Sequence, residues 1–509
     1  MGKLLPAFKT AIVDNFKTVI SSNTVQYYLF ASDPQETESI PAIPNNDLVS
    51  IQTRNSSMLF GKKIQESSFV PVIKNYTWTT NTVYTQYDNT SNTLANSQFY
   101  VVTEPDEVGG YYHIFKCICN DGGSASTEKP DQIQPETFTK SDGYKWRYLY
   151  TITSANYDKF ATDDYIPVYA NSSIQENSFL YLGVDKIVLS NTGSGYDAYK
   201  DGTVQSINPE GTIIQIENTA SNLNDFYTDN AILVYENGSE PITGQLKTIT
   251  QYVSNNTGRW VYVNNAVSGF TSPLYKIAPR VVIETDGVEQ PLAYSEVNPT
   301  VNAISTITII NTGYGISRAN VSIVSNPTYG SGANAYAVIA PPGGHGSNPE
   351  AELFVQGFAL SAQFSNSEIN TISTDFRYNK LGILKNPYEI NQTTGLKTTN
   401  SYSSNTFESV LKGTVSATFT IGDTVIGNTS GAIALVAFAN SSTIYLAGDK
   451  TFSNAEYIDS SNGSVSSQLT INSRGDIYTN DIVPLYIENI SDVQRTSEQT
   501  ETYKLIITL

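Results

Sequence analysis

The chain has little of the side-chain chemistry that enzymes use most. Its 509 residues include two histidines and two cysteines. Histidine is the most frequent general base and metal ligand near neutral pH, so this scarcity leaves few ways to build a catalytic centre. Cys117 and Cys119 lie too close in sequence to pair well, and reduced thiols in a cytosolic setting are the simplest interpretation.

Positive charge and long apolar runs are also scarce. The chain has 29 Lys and Arg against 48 Asp and Glu, a formal net charge of -19, and no dense basic block. This argues against a nucleic-acid binder and against a protein held on an anionic membrane. No segment is long and apolar enough to span a bilayer, and charged residues interrupt residues 4–25 where a signal peptide would be unbroken. We therefore expect protein partners, no nucleic acid, no membrane and no export by a signal peptide.

The motifs of common enzyme classes are missing. There is no Walker loop and no Gly-x-Ser-x-Gly elbow. The pairs Gly193/Gly195 and Gly313/Gly315 follow predicted strands but open no helix, so they do not match a phosphate cradle. Two carboxylates of a glycosidase could come from anywhere in the chain, and that class stays open. We predict no catalytic residue and no cofactor, and expect that the chain is not an enzyme.

The two histidines favour structural roles. His113, Cys117 and Cys119 share one predicted strand and could supply three metal ligands. Structural zinc needs a fourth ligand, so a packed strand is favoured and no metal site is predicted. His345 lies in a Pro/Gly-rich loop, where a hydrogen bond within the loop is favoured over catalysis.

Strand-forming residues and polar turns are abundant. The chain contains 34 Tyr and is 39% hydrophobic, with many Asn, Ser, Thr and Gly between short apolar runs. This composition predicts a mainly β protein, and the length is too great for a single compact core. Phe8, Ile12 and Phe16 recur at helical spacing, so residues 7–21 are predicted to form one amphipathic helix.

An internal repeat and changes in composition suggest the domain organisation. Residues 184–195 and 304–315 each form a predicted strand closed by Asn-Thr-Gly-x-Gly, which suggests two related β modules or two halves of one. Turn-rich edges make a later stretch look inserted. The predicted divisions are a first domain over 1–178, β modules over 179–300 and 301–395, and a small inserted β module over 396–473.

The segment Ser141–Tyr150 alternates aromatic and other residues after an Asp-Gly turn. Tyr144, Trp146, Tyr148 and Tyr150 fall on one face of the predicted strand. That face is expected in a core, whereas the cations on the other face suit solvent or an acidic contact.

Four blocks of sequence carry a family resemblance. The first joins the N-terminal helix to a strand: Thr10-Ala11-Ile12-Val13, Phe16 and Tyr27-Tyr28-Leu29-Phe30. The second is strand-rich: Gly61-Lys62-Lys63, Val72-Ile73, Trp78 and Val83-Tyr84-Thr85-Gln86-Tyr87-Asp88. The third surrounds the aromatic strand: Phe115-Lys116-Cys117, Asn120, Ser126-Thr127, Pro130, residues 141–150 and Ile166-Pro167-Val168. The fourth is discontinuous: Gly343-Gly344-His345-Gly346, Glu352-Leu353, Asp375-Phe376-Arg377, residues 382–387, Leu485-Tyr486-Ile487-Glu488-Asn489 and Gln499-Thr500-Glu501.

In this order, the blocks resemble the large baseplate wedge subunits of contractile-tailed, myovirus-type bacteriophages. The resemblance spans nearly the whole chain. Residues 397–472 are additional to the family's minimal form, and Ile490-Ser491-Asp492-Val493 stands where the family tends to have Arg-x-Pro-Ile.

The resemblance implies a multidomain protein with β-sandwich-like modules, in which residues 474–509 complete the N-terminal domain. It implies a structural component of a tail baseplate, located in the virion and assembled in the host cytoplasm, that takes part in rearrangement on host attachment and sheath contraction. The partners would be other wedge proteins, and a homodimer and contacts to tail-fibre or peripheral baseplate proteins are also compatible. The candidate interface residues are Lys145, Arg147, Glu488, Gln499 and Glu501.

Two other function classes fit the composition. Abundant Tyr, Asn, Ser and Thr would suit a carbohydrate-binding adhesin or a tail-spike polysaccharide lyase or hydrolase, whose aromatic platforms would have to be exposed. A calcium-dependent adhesin is the third possibility, although regular Asp-x-Asp-x-Asp loops are missing.

Overall fold

A computed structural model of the chain describes residues 5–22, 24–35, 47–365, 372–496 and 499–509. Helical structure is limited to short segments. The α-helices are α1 (Pro6–Ser22), α2 (Leu48–Ser56), α3 (Ser154–Phe160), α4 (Ser172–Asn177) and α5 (Pro349–Glu352), and the 3-10 helices are Glu66–Ser68, Leu94–Asn96, Asp121–Gly123, Ser178–Tyr181 and Pro241–Thr243.

Most of the regular structure consists of short strands. In the first half of the chain they are β1 (Tyr27–Ser32), β2 (Met58–Lys63), β3 (Phe69–Lys74), β4 (Tyr100–Val102), β5 (Tyr112–Asn120), β6 (Phe138–Thr139), β7 (Tyr144–Ile152), β8 (Tyr165–Pro167), β9 (Val184–Ser194), β10 (Lys200–Thr203), β11 (Ser206–Ile207), β12 (Ile213–Ile216), β13 (Ala231–Glu236), β14 (Gln245–Asn255) and β15 (Gly258–Val263). In the second half they are β16 (Pro273–Ala278), β17 (Arg280–Thr285), β18 (Leu292–Asn298), β19 (Ala303–Asn311), β20 (Ala319–Val324), β21 (Ser331–Ile339), β22 (Gly357–Phe364), β23 (Arg377–Lys385), β24 (Tyr388–Ile390), β25 (Lys397–Ser401), β26 (Thr406–Glu408), β27 (Leu411–Thr414), β28 (Thr424–Gly427), β29 (Ile433–Ala439), β30 (Thr443–Gly448), β31 (Tyr457–Ser460), β32 (Ser466–Gln468), β33 (Thr470–Ser473), β34 (Ile477–Tyr478), β35 (Tyr486–Gln494) and β36 (Glu501–Thr508).

The chain is mainly β and has one N-terminal helix, which confirms the predicted fold class. It divides into two compact units. Unit 1 comprises Met1–Ile73, Ala155–Pro167 and Val355–Leu509, and unit 2 comprises Lys74–Ser154 and Val168–Phe354. Both ends of the chain therefore lie in unit 1, together with the helix expected over 7–21.

Unit 1 contains two antiparallel sheets that share a core. The first has the order β26-β2-β1-β23-β35, and the second has the order β36-β22-β3-β8. Leu29 and Ile383 from the first sheet pack in the same cluster as Phe358 and Leu505 from the second. Helix α1 adds to this core through Phe16, whose ring stacks on Phe358 at 4.8 Å. Burial of these side chains is the main source of stability for such a sandwich.

The inserted stretch of unit 1 forms a sheet of its own, with the order β32-β31-β28-β29-β30-β27-β33. These strands span residues 411–473, which we call the inserted module. It has a separate core that includes Val425, Val436 and Ile458. Ala437 and Ala447 instead pack into the sandwich core, so the module is anchored to the rest of unit 1 along β29 and β30.

Unit 2 is built from several β layers. The aromatic strand β7 is central in the sheet β4-β5-β7-β6, and a seven-stranded sheet has the order β10-β16-β13-β14-β15-β12-β11. A third sheet, β19-β18-β17-β20, shares its core with the paired strands β9 and β21.

The repeated strands β9 and β19 both contribute side chains to this shared core, and the motifs that close them have the same local geometry. The side-chain oxygen of Asn191 accepts a hydrogen bond from the amide of Gly193 at 2.9 Å, and that of Asn311 accepts one from Gly313 at 2.8 Å. Both glycines have positive φ angles of 64° and 62°, a conformation that glycine adopts without strain. The repeat thus corresponds to two halves of one packed module.

Two of the proposed domain divisions differ from this grouping. Residues 74–154 belong to unit 2, whereas the rest of the N-terminal segment lies in unit 1. The boundary after residue 300 falls between β18 and β19, which pair antiparallel along their length. The second copy of the internal repeat begins at residue 304, which is why a boundary was predicted there.

Within the described part of the chain, no helix is both long and apolar enough to cross a membrane.

Candidate functional site

The most unusual feature of unit 2 is a set of charged side chains sealed inside it, which we call the ionic cluster: Lys116, Arg147, Asp185, His345 and Glu352. Lys116 on β5 and Arg147 on β7 are direct cross-strand partners. Lys116 is 0% exposed and Arg147 is 9% exposed. Two buried like charges facing each other destabilise a sheet unless acids compensate them.

The compensating acids come from distant parts of the chain. Glu352, the last residue of α5, accepts a hydrogen bond from the Lys116 ammonium at 2.6 Å. Asp185, near the start of β9, lies with both carboxylate oxygens 2.9 Å from Nε2 of His345. The four charged side chains therefore form a neutral set around the imidazole.

The distances define the tautomer of His345. Its Nδ1 lies 2.9 Å from Nζ of Lys116. Nε2 faces both carboxylate oxygens of Asp185, which only accept, so in the neutral imidazole Nε2 carries the proton and donates. Nδ1, which also lies 3.0 Å from Oε1 of Glu352, then accepts from the Lys116 ammonium. Lys116 thus bridges Glu352 and the imidazole, and every polar atom of the ring has a partner.

The loop that carries His345 is shaped by glycine. Gly344 has a φ of 91°, and a Cβ there would clash with the carbonyl oxygen of Ser178. Only glycine fits this approach. The amide of Gly346 donates to Oε2 of Glu352 at 2.8 Å, which ties the loop to the acid that follows it.

Burial and charge pull the acid pKa values in opposite directions. Burial would raise the pKa of Glu352, but the charge of Lys116 and the close contacts of the carboxylate with His345 and Lys116 lower it to about 2. Burial also acts to raise the pKa of Asp185, and the interaction with His345 lowers it overall. Burial lowers the pKa of Lys116.

We expect the stability of unit 2 to fall as the pH is lowered from about 4.5 towards about 2. A carboxylate whose pKa is lowered on folding stabilises the fold above its unfolded pKa, and this stability is lost as the pH falls through the folded pKa. For Glu352 the loss should be about 3 kcal/mol. Urea denaturation followed by tryptophan fluorescence measures it, because Trp78, Trp146 and Trp260 all lie in unit 2.

Glu352→Gln is the control for this pH dependence. The variant should be less stable at neutral pH but should lose less stability on acidification than the wild type. Equal losses in the two proteins would show that Glu352 is not responsible.

The ionic cluster is almost completely shielded from solvent. The side chains of His345 and Glu352 are 1% and 2% exposed, and the Lys116 ammonium lies 3.5 Å above the ring of Tyr87. A cation over an aromatic face is stabilised further when both are desolvated. In this arrangement the imidazole holds β5, β9 and the loop of residues 343–352 together.

The predicted interface residues of unit 2 have different environments. The aromatic face of β7 is buried, as expected, and Lys145 is exposed. Arg147 is instead buried, with its guanidinium 5.2 Å from the ring of Tyr181 and its Nε donating to Thr137 at 3.0 Å. Its acidic neighbours belong to this chain.

The other three predicted interface residues lie in unit 1. Glu488 on β35 is partly exposed and accepts a hydrogen bond from the hydroxyl of Tyr486 at 2.9 Å. Gln499 is partly buried beside Thr496, with which its side chain interacts at 3.5 Å. Glu501 is buried and paired with Arg495 at 3.2 Å.

The metal ligands considered for β5 do not come together. His113 interacts through Nδ1 with the hydroxyl of Thr151 at 2.8 Å, and a register shift separates Cys117 from Cys119. Burial raises the pKa of the Cys117 thiol. Among the residues that the structure describes, no group of three or more His, Cys, Asp and Glu is placed to hold a metal ion.

All five residues of the ionic cluster lie in stretches that the sequence singled out, but the sequence does not connect them. Lys116 and Arg147 stand in the third resemblance block, His345 and Glu352 stand in the fourth, and Asp185 stands in the first repeat. The one local signal was that His345 and Glu352 are only seven residues apart in sequence. The other contacts of the cluster join distant segments, and the sequence does not show them.

No model of a known protein family matches the chain, and comparison with curated proteins finds no match.

Proposed function

We propose that the chain is a structural component of a phage tail baseplate wedge, which binds other wedge proteins and changes its contacts when the sheath contracts. The observation that carries the proposal is the order of the four sequence blocks. Their placement in the fold supports it, because blocks that are far apart in sequence are neighbours in space within each unit.

In unit 1 the blocks meet in one sheet. Strand β1 carries Tyr27–Phe30 of the first block and pairs with β2, which carries Gly61–Lys63 of the second. On its other side, β1 pairs with β23 of the fourth block, and β23 pairs with β35. The side chain of Asn386 also accepts a hydrogen bond from the amide of Gln26 at 2.8 Å. The residues that carry the family resemblance in unit 1 therefore lie on neighbouring strands of one sheet.

In unit 2 the blocks meet at the ionic cluster. Tyr87 of the second block, Lys116 of the third, and His345 and Glu352 of the fourth are in direct contact. Removing one member of a buried ionic arrangement leaves an uncompensated charge, which is strongly destabilising. It gives a physical reason for these residue types to occur together.

The proposal is tested on intact tails. Mass spectrometry of purified tails should detect the chain, and cryo-electron microscopy should show it repeated six-fold near the end of the tube. Absence from intact tails would contradict the proposal.

Substitution of Lys145, the exposed cation of β7, tests whether this residue contacts a neighbouring wedge protein. Lys145→Glu should leave the stability of unit 2 unchanged within about 0.5 kcal/mol, because the side chain is exposed. If Lys145 meets an acidic neighbour in the wedge, the amount of the chain in purified tails should fall about tenfold. Lys129→Glu, at another exposed position of unit 2, is the control and should assemble normally. Equal incorporation of both variants would remove Lys145 from the interface.

Burial of the aromatic residues weighs against the carbohydrate-binding alternative. The largest fully buried side chains include Trp146, Tyr84, Tyr144, Tyr252 and Tyr275. Sugar-stacking platforms need an exposed ring face. Release of reducing ends from host polysaccharide by the purified chain would nevertheless overturn the wedge proposal.

A further inference from the structure

The outer face of the inserted module carries apolar side chains that the rest of the described chain does not cover. Ile426 on β28 is 40% exposed, Ile433 on β29 is 50% exposed and Tyr457 on β31 is 56% exposed. These three residues define what we call the outer face. Large apolar side chains are unremarkable when they are scattered, but a contiguous group indicates an interaction site.

Strand register shows that the group is contiguous. Ile426 pairs directly with Ile433 across β28 and β29, and on its other side it pairs with Asp459 of β31. Tyr457 lies two residues before Asp459 on the same face of β31, within diagonal reach of Ile426. The next pair along β28 and β29 is Thr424 with Leu435, which is half-buried.

The module's other surfaces are already used. Alternate residues of β28 and β29, such as Val425 and Ala434, point into the module's own core. Farther along β29, after a register shift between Val436 and Phe438, Ala437 packs into the sandwich core of unit 1. The outer face is therefore a third apolar surface, on strands held rigidly by the other two.

The charge of the module restricts what can cover this face. The module, residues 411–473, contains four acids and two cations. Lys450 is 3% exposed, and Lys412 is paired with Glu408 of β26. Asp459 borders the outer face directly, and Asp449 lies beside Ile433, whose amide is 3.4 Å from its carboxylate. Apart from Lys412, every exposed or half-exposed charge of the module is negative.

We propose that the outer face of the inserted module binds an extended segment of another protein in which apolar side chains are flanked by lysine or arginine. The apolar residues of the segment cover Ile426, Ile433 and Tyr457, and its cations meet the surrounding carboxylates. Complementary charge adds specificity and speeds association at such a surface. This inference concerns the module alone and does not depend on the baseplate role.

Charge also argues against two other occupants. A second copy of the module would bring like charges together across the contact, which opposes association. An anionic membrane surface would be repelled for the same reason.

The test is peptide binding to the full chain, measured by fluorescence anisotropy. The probe is a labelled peptide of about twelve residues, with apolar side chains at alternate positions and lysines on both sides. Comparison peptides carry glutamate or serine in place of the lysines. The lysine peptide should bind at least about tenfold more tightly than the glutamate peptide.

Matched variants separate the outer face from the general negative charge of the chain. Replacing Ile426, Ile433 and Tyr457 together with serine should weaken binding of the lysine peptide about tenfold, while the melting temperature confirms that the module is folded. Serine at Ile133 and Ile242, which are 54% and 46% exposed outside the module, should leave binding unchanged. Equal binding by both variants, no preference for lysine, or self-association that the triple variant abolishes would each overturn the proposal.

Discussion

Replacing Glu352 with alanine is expected to lower the free energy of unfolding of unit 2 by about 3–5 kcal/mol. The substitution removes the acceptor of the Lys116 ammonium, whose nitrogen lies 2.6 Å from the Glu352 carboxylate in a fully buried site. Lys116 would then face Arg147 with only Asp185 to balance both cations. Guanidinium denaturation followed by tryptophan fluorescence reports the loss, since all three tryptophans lie in unit 2.

A double-mutant cycle shows whether the loss comes from the stranded charge. Lys116→Met removes the ammonium and keeps most of its volume. The double variant Lys116→Met with Glu352→Ala should be more stable than the sum of the two single losses predicts, by at least about 1 kcal/mol. Additive losses would mean that the two side chains are not coupled. Glu107→Ala, at an exposed position of unit 2, should change stability by less than about 0.5 kcal/mol.

The fold class could be predicted because alternation and composition are local properties. The aromatic residues of β7 recur with a period of two, and the structure buries them on one face. The helix over 7–21 was likewise predictable, because apolar residues three or four positions apart lie on one side of a helix and this spacing is visible in the local sequence. Phe8 and Ile12 are nevertheless exposed, while Val13 and Ile20 are buried, because spacing does not specify which side the sheet covers.

Pairing between distant segments could not be predicted from this one sequence. Strand β1 lies between β2 and β23 in the sheet. Strand β23 is more than three hundred residues away from β1 in sequence, and no local property of β1 indicates that the two strands pair. The same holds for Asp185 and His345, which are separated by 160 residues. Chain topology alone brings such groups together.

Arg147 shows how this affected the candidate site. The alternation of residues in β7 placed Arg147 on the face opposite the aromatic residues. In a sheet with one open side, that face would be exposed to solvent. β7 is an inner strand that is covered on both faces at this point, and its cross-strand partner Lys116 is buried as well. A charge reversal at Arg147 would therefore damage the core of unit 2, so of the two β7 cations Lys145 is the one suitable for testing a surface contact.

Arg495→Ala is expected to lower the stability of unit 1 by about 3 kcal/mol. The Arg495 guanidinium donates to Glu501 at 3.2 Å and to the carbonyl oxygen of Ser373 at 3.1 Å, and it lies over the ring of Phe60 at 5.1 Å. The side chains of Arg495 and Glu501 are 1% and 5% exposed. Without the guanidinium, Glu501 would be an unpaired buried carboxylate. Scanning calorimetry of the full chain should show the transition of unit 1 shifted to lower temperature.

The same pair decides whether Glu501 stabilises the fold or forms a surface contact. Oε2 of Glu501 has no hydrogen-bond partner among the described residues, so its charge is balanced through Oε1 alone. Glu501→Gln removes that charge and should lower the stability of unit 1 by about 1–3 kcal/mol in the isolated chain, with no other protein present. Glu488→Gln, at a partly exposed position of β35, should change stability by less than about 0.5 kcal/mol. If Glu501→Gln were instead neutral in the isolated chain and impaired only tail assembly, Glu501 would act at an interface and its pairing with Arg495 would not stabilise unit 1.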